Sequence, residues 1–123
     1  MAAWQYGPLR SAPTTTDLSA KTGYAVVTDS SGNLVVVSTL QSVIDGVLVD
    51  DPKTGQNGTY QVRDVAKVIA GAAFAVGANL EVTAAGKFVT ATTGKPIVAK
   101  ALEAASGVDV AVTAEIGYRG PSA

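Results

Sequence analysis

The sequence predicts an all-β chain, on three observations: two hairpin signatures, β-branched runs bounded by glycine and polar turn residues, and a weak repeat relating the two signatures. The first signature is "YAVVTDSSGNLVVVSTL", in which residues 25–28 and 34–39 flank Asp29-Ser30-Ser31-Gly32-Asn33. Glycine and asparagine accept the positive φ that tight hairpin turns need. The second is "LEVTAAGKFVTATTG", in which residues 80–83 and 88–92 flank Ala84-Ala85-Gly86-Lys87. The expected architecture is a small β-tulip, barrel-like or sandwich domain with an extended amino-terminal arm.

Residues 1–16 carry Trp4, Tyr6, Leu9, Arg10, two prolines and a threonine run without a period of two or 3.6, which reads as the arm. Trp4 is the single tryptophan, and a large aromatic on an arm must dock somewhere, on its own core or on a neighbouring subunit. The body is expected over residues 17–117, with a tail at 118–123. After the first hairpin come a strand at 43–49, a polar loop at 50–58 and one long strand at 59–69. In that long strand Tyr60, Val62, Asp64, Ala66 and Val68 share a face that Asp64 interrupts. The segment "GAAFAVGANL" reads as a glycine-bounded turn whose Phe74 and Val76 plug one end of the domain.

"VTDSSGNLVVVSTLQSVIDGVL" and "VTAAGKFVTATTGKPIVAKAL" follow one order: a valine-threonine pair, a glycine turn, an apolar pair, a threonine-rich strand end, then an isoleucine strand. Each is followed by a loop and one further strand, at 59–69 and 108–116, so a hairpin-plus-two-strand unit recurs after about 54 residues. The repeat bears on "KPIVAKALEAASG", which propensity alone scores as helix. It stands where the first unit has "SVIDGVLVDD", so residues 97–102 are expected as a strand; a single helical turn over 101–105 is the alternative.

With 123 residues the chain has the length of one domain, and nine basic against ten acidic residues leave a net charge of -1. Such a balance offers no field for nucleic acid or an anionic membrane. There is no cysteine and no histidine, which removes disulfides, thiolate sites and all imidazole chemistry together. No basic segment precedes an apolar run, so a protein folded in a cytoplasm is expected. Asp50-Asp51 is the one adjacent carboxylate pair, and two neighbouring aspartates in an extended loop point apart, which suits solvent better than a metal. "DSSGN" and "TTGKPI" lack the remaining elements of calcium and phosphate loops and read as turns. The sequence therefore predicts no catalytic residue, no metal, no cofactor and no small-molecule substrate.

Three runs carry a family resemblance: "DLSAKTGYAVVTDSSGNLVVV", "AGAAFAVGANLEVTAAGKFVTATTGKPIVAKALEAASG" and "VDVAVTAEI". Together they resemble the small capsid cement, or head decoration, proteins of tailed bacteriophages over roughly residues 17–116. The run "GANLEVTAAGKFVTATTGKPIVAKALEAASG" is the most specific element, with a glycine-entry strand, a glycine hairpin and a strand ending in Ala-Leu-Glu-Ala-Ala before a glycine turn. The resemblance implies a structural virion protein, similar in role to lambda-type decoration proteins: a β-rich homotrimer at three-fold and quasi-three-fold positions on the outer surface of the expanded capsid. Its implied partners are the major capsid protein and itself, with no nucleic acid or membrane.

On that reading Trp4, Tyr6, Leu9 and Arg10 are the capsid-binding arm residues. The loop at 50–58 and the tail "GYRGPSA" depart from the family pattern, which makes Asp50, Asp51, Lys53, Tyr118 and Arg119 candidate neighbour contacts. An arm can add a strand to a partner's sheet edge, and a trimer links several weak contacts into one strong attachment. A sugar- or cell-surface-binding β module accessory to a phage tail or fibre is the rival reading, and a carboxylate-only hydrolase a remote third.

Overall fold

The computed structural model describes residues 9–41, 43–117 and 120. These form ten strands: β1 (Leu9–Pro13), β2 (Ala25–Thr28), β3 (Leu34–Val36), β4 (Gly46–Leu48), β5 (Asn57–Gln61), β6 (Asp64–Ile69), β7 (Asn79–Val82), β8 (Phe88–Thr90), β9 (Ala99–Ala101) and β10 (Ala111–Ile116). They pair into two five-stranded antiparallel sheets, ordered β1-β5-β4-β2-β3 and β6-β10-β9-β7-β8. Adding five to each strand of the first order produces the second. The chain is thus two halves of one topology, and the repeat unit has a leading strand, β1 or β6, that the hairpin grammar does not reveal.

The register repeats as well as the order. Val26 pairs with Val36 and Thr28 with Leu34; about 54 residues on, Leu80 pairs with Thr90 and Val82 with Phe88. Both hairpins turn by the same local device. Asp29 Oδ1 accepts the Ser31 and Asn33 backbone N–H groups, each at 2.9 Å. Thr83 Oγ1 accepts those of Ala85 and Lys87 at 3.2 and 3.3 Å. A short oxygen-bearing side chain at the head of the turn satisfies donors that the ladder leaves unpaired.

Each sheet curls until its edges meet at one end. Thr14, just beyond β1, bridges in parallel to Leu34 of β3, and Ala70, just beyond β6, bridges in the same way to Phe88 of β8. The curl gives each half an interior. Ala12, Leu18, Val26, Leu34, Leu48 and Tyr60 fill the first. Val68, Phe74, Leu80, Phe88, Ala101 and Ala114 stand at the corresponding positions of the second. Full burial of a valine or leucine contributes about 1.5–3 kcal/mol, so these interiors are the main source of stability.

The halves are joined by a second apolar layer. Ala25, Val37 and Val47, on the other face of the first sheet, are fully buried in one cluster with the second half's interior. Backbone bonds cross the joint from Ala25 N–H to Gly86 C=O (2.8 Å), Ile69 N–H to Gly23 C=O (3.0 Å) and Gln41 N–H to Val82 C=O (2.9 Å). The buried Glu81 accepts the Gln41 side-chain amide at 3.1 Å and Thr92 N–H at 2.7 Å. Gly86 sits where a Cβ would come within 2.5 Å of Val36 Cγ1 and 3.1 Å of the Ala25 carbonyl, at a φ of 79°.

Three expectations are corrected. Residues 59–69 are not one strand: β5 belongs to the first sheet and β6 to the second, and the chain crosses between them at Val62-Arg63-Asp64. Asp64 takes a φ of 70°, and the Gln61 Nε2 amide donates to the carbonyls of Arg63 and Val65, each at 2.8 Å, bracing the crossing. The interruption of the apolar face at Asp64 was the sequence signal of this break. Phe74 is buried as expected, but Val76 is 64 % exposed and plugs nothing. The strand at 97–102 is narrower, Ala99–Ala101, and residues 101–105 form no helical turn; Ala105 instead bridges back to Phe74.

Candidate functional site

Strand β1 lies at the free edge of the first sheet, with Leu9 opposite Gln61 and Arg10 opposite Tyr60. Leu9, Arg10, Ser11 and Pro13 are exposed, and only Ala12 turns into the interior. Pro13 ends this edge strand, where a missing N–H does least harm to a ladder. Trp4 and Tyr6 lie outside the described residues, as do Tyr118 and Arg119 of the tail.

The loop after β4 is built rather than loose. Both carboxylate oxygens of Asp50 accept Thr59 N–H, at 3.0 and 3.1 Å, so this side chain serves its own chain. Thr14 Oγ1 donates to the carbonyls of Lys53 and Gln56, and Gln56 Oε1 accepts Lys53 N–H at 2.8 Å. Pro52 is buried and its carbonyl accepts Leu18 N–H at 2.9 Å. Asp51 and Lys53 are exposed beside this framework and remain available to a neighbour. Asp50 has a counterpart in Glu103, whose Oε1 accepts Thr113 N–H at 2.9 Å.

At the matching end of the second half the sequence reading placed Phe74 and Val76 as a plug and did not single out Leu102 or Val108. There Val76, Leu102 and Val108 are 64, 44 and 60 % exposed, with Ala73 and Ala104 also facing water. The Phe74–Ala105 bridge and the Gly77 N–H to Ala101 C=O bond (2.8 Å) bring the loops at 71–78 and 102–110 side by side. The matching backbone bonds, Gly23 N–H to Leu48 C=O, Val49 N–H to Thr59 C=O and Gly55 N–H to Thr14 C=O, put Thr22, Val49 and Thr54 at the positions of Val76, Leu102 and Val108, with the exposed Asp17 and Asp51 at those of Ala73 and Ala104. One backbone plan therefore ends in a largely polar surface in one half and a largely apolar surface in the other. Each apolar side chain here is unremarkable singly; only the bridge that gathers them makes a patch.

Charged side chains gather around Tyr24, and one of them, Asp109, follows Val108 in the loop at 102–110. Lys21 Nζ lies 4.8 Å and Lys87 Nζ 6.0 Å from the centre of the Tyr24 ring, while Lys87 pairs with Asp109 Oδ1 at 2.6 Å. The bond to Asp109 raises the Lys87 pKa above the ordinary lysine value. Among the described residues, no group of three or more aspartates and glutamates gathers as a metal site.

With this geometry in view, the chain can be compared with known proteins. It is similar in structure to the head fiber gp8.5 N base of bacteriophage phi29, with a TM-score of 0.68 and 21 % sequence identity over 89 % of this chain and 93 % of that one. At this identity the likeness establishes the fold. No protein-family model matches the sequence, and no curated protein does.

Proposed function

We propose that this chain is a structural virion protein that attaches to the outer surface of a phage head. One observation carries the reading: the two-half architecture extends over nearly the whole length of both this chain and a head fiber base. Resemblance of the sequence to head decoration proteins supports it independently. The reading requires no catalysis and no cofactor; binding rests on surface complementarity.

In finer detail, the protein is a homotrimer at three-fold and quasi-three-fold positions of the expanded shell, bound to the major capsid protein and reinforcing it. Trp4, Tyr6, Leu9 and Arg10 form its attachment arm, with Asp51 and Lys53 as neighbour contacts. A ligand that binds only the expanded state stabilises that state by its differential affinity. The test is co-sedimentation of the purified protein with expanded, undecorated capsids and with unexpanded procapsids. Saturable binding to the expanded shells alone is expected. Binding to neither would overturn the reading and favour an accessory module on a tail or fibre.

A further inference from the structure

The apolar end of the second half has no equivalent in the first, and nothing among the described residues covers it. Across the loops at 71–78 and 102–110 the charged side chains are Glu103, whose carboxylate accepts Thr113 N–H, and Asp109, which pairs with Lys87. The described chain begins at Leu9, and the eight residues before it, "MAAWQYGP", contain no charged side chain and two aromatics. We propose that residues 1–8 of this chain dock on the apolar end of its own second half, with Trp4 against the side chains of Val76 and Leu102.

Reach permits this. Leu9 pairs with Gln61, and the Gln61 amide holds the crossing to Asp64 short. Asp64 pairs with Ile116, Ile116 with Ala99, and Leu102 follows three residues later. From Asp64 that is two strand spacings of about 4.8 Å and about 10 Å along a strand. The five residues from Leu9 back to Trp4 span roughly 16–18 Å when extended, more than the roughly 14 Å straight line from Asp64 to Leu102, and the indole adds its own length. The other exposed apolar pair, Leu40 and Val43, lies on a loop with Ser38, Thr39 and Asp45 and offers a smaller seat. Burial of an indole on an apolar surface removes a large area from water, which an arm with two uncovered aromatics otherwise exposes. The seat does not depend on the head-surface reading; it holds for the protein alone in solution, and a shell that binds the arm more tightly would draw it off.

The single tryptophan makes the proposal measurable in the unmodified protein. Folded protein should emit at shorter wavelength than urea-unfolded protein and resist acrylamide quenching, at every protein concentration. The double variant Val76→Asp/Leu102→Asp changes only exposed side chains; it should keep the β-sheet circular dichroism and shift emission to the unfolded value, while Leu40→Asp leaves emission unchanged. As a second readout that needs no patch variant, Trp4→Ala should move the methyl NMR signals of Val76 and Leu102. Emission of the wild type equal to that of the unfolded chain overturns the proposal. So does emission untouched by the double variant. A blue shift that vanishes on dilution also overturns docking within one chain, and assigns the seat to a second copy.

Discussion

The first and second halves share strand order, register and turn chemistry, yet their outer surfaces differ. Ala25, Val37 and Val47 of the first sheet's outer face are buried at the joint, whereas the corresponding positions of the second are Asn79, Ala91 and Lys100, of which the asparagine and lysine are exposed. Each half thus folds around its own interior, but only the first offers an apolar outer face to a partner unit. A heterologous contact of this kind would repeat indefinitely if both outer faces were apolar. Polar residues on the second face end the series after two units. The same comparison at the loop ends runs the other way, with the first half largely polar and the second largely apolar. Backbone plan and surface chemistry are therefore set separately, the one by interior pattern and turns, the other by residues the fold leaves free.

The largest expected difference between the halves lies at their two hairpin glycines. Gly32 and Gly86 both have positive φ, but a Cβ at Gly32 meets nothing within 4 Å while one at Gly86 strikes Val36. Gly32→Ala should cost about 1 kcal/mol from the left-handed conformation alone. Gly86→Ala adds overpacking at the joint, for a total of about 3 kcal/mol. Urea unfolding of the two variants checks this, and equal losses would mean the joint is not packed as described.

Next come the outer faces. Val47→Ala should destabilise by about 2 kcal/mol through a cavity at the joint. Lys100→Ala, at the matching exposed position, should stay within about 0.5 kcal/mol. Similar values for the pair would contradict the asymmetry of the two faces.

The crossing between halves sharpens the comparison further, since it occurs once. Gln61→Met keeps the volume and removes the donors to Arg63 and Val65. A loss of about 1–2 kcal/mol is expected, with hydrogen exchange rising first at the start of β6. Uniform exchange along β5 and β6 would show that the amide does not brace the turn.

The smallest effect is electrostatic. Lys87 has a raised pKa in the folded protein because it bonds Asp109, so its contribution is fully present below the unfolded lysine value, about 10.4, and is lost as pH rises through the folded value. The melting temperature should fall slightly more steeply above that pH in the wild type than in Lys87→Met. Parallel alkaline profiles would remove the pair from the account.

Much of the fold was legible because hairpins are written locally. Residues 25–28 were bounded correctly from the β-branched run and the following Asp-Ser-Ser-Gly-Asn, and the register shift of about 54 residues was visible in the order of valine, glycine and threonine. The strand reading of "KPIVAKALEAASG" came from its place in the repeat, against its helix propensity. β1 was read as arm because an edge strand with one inward residue has no alternation to detect. The break at Asp64 was visible as a polar residue on an apolar face, but period-two reasoning carries through a single exception.

For the candidate surfaces, the sequence pointed to Asp50, Asp51 and Lys53 as one loop; only the structure separated Asp50, bonded to Thr59, from its two exposed neighbours. The apolar end of the second half was not legible, because Val76, Leu102 and Val108 are distant in sequence and singly resemble core residues. The sequence by itself determined the class of fold, the hairpins, the repeat and the absence of imidazole and thiol chemistry, since these depend on residue identity and near neighbours. Only the tertiary structure decided which of two like halves buries its outer face and which exposes its apolar end, because burial depends on what packs across a gap that no local pattern records.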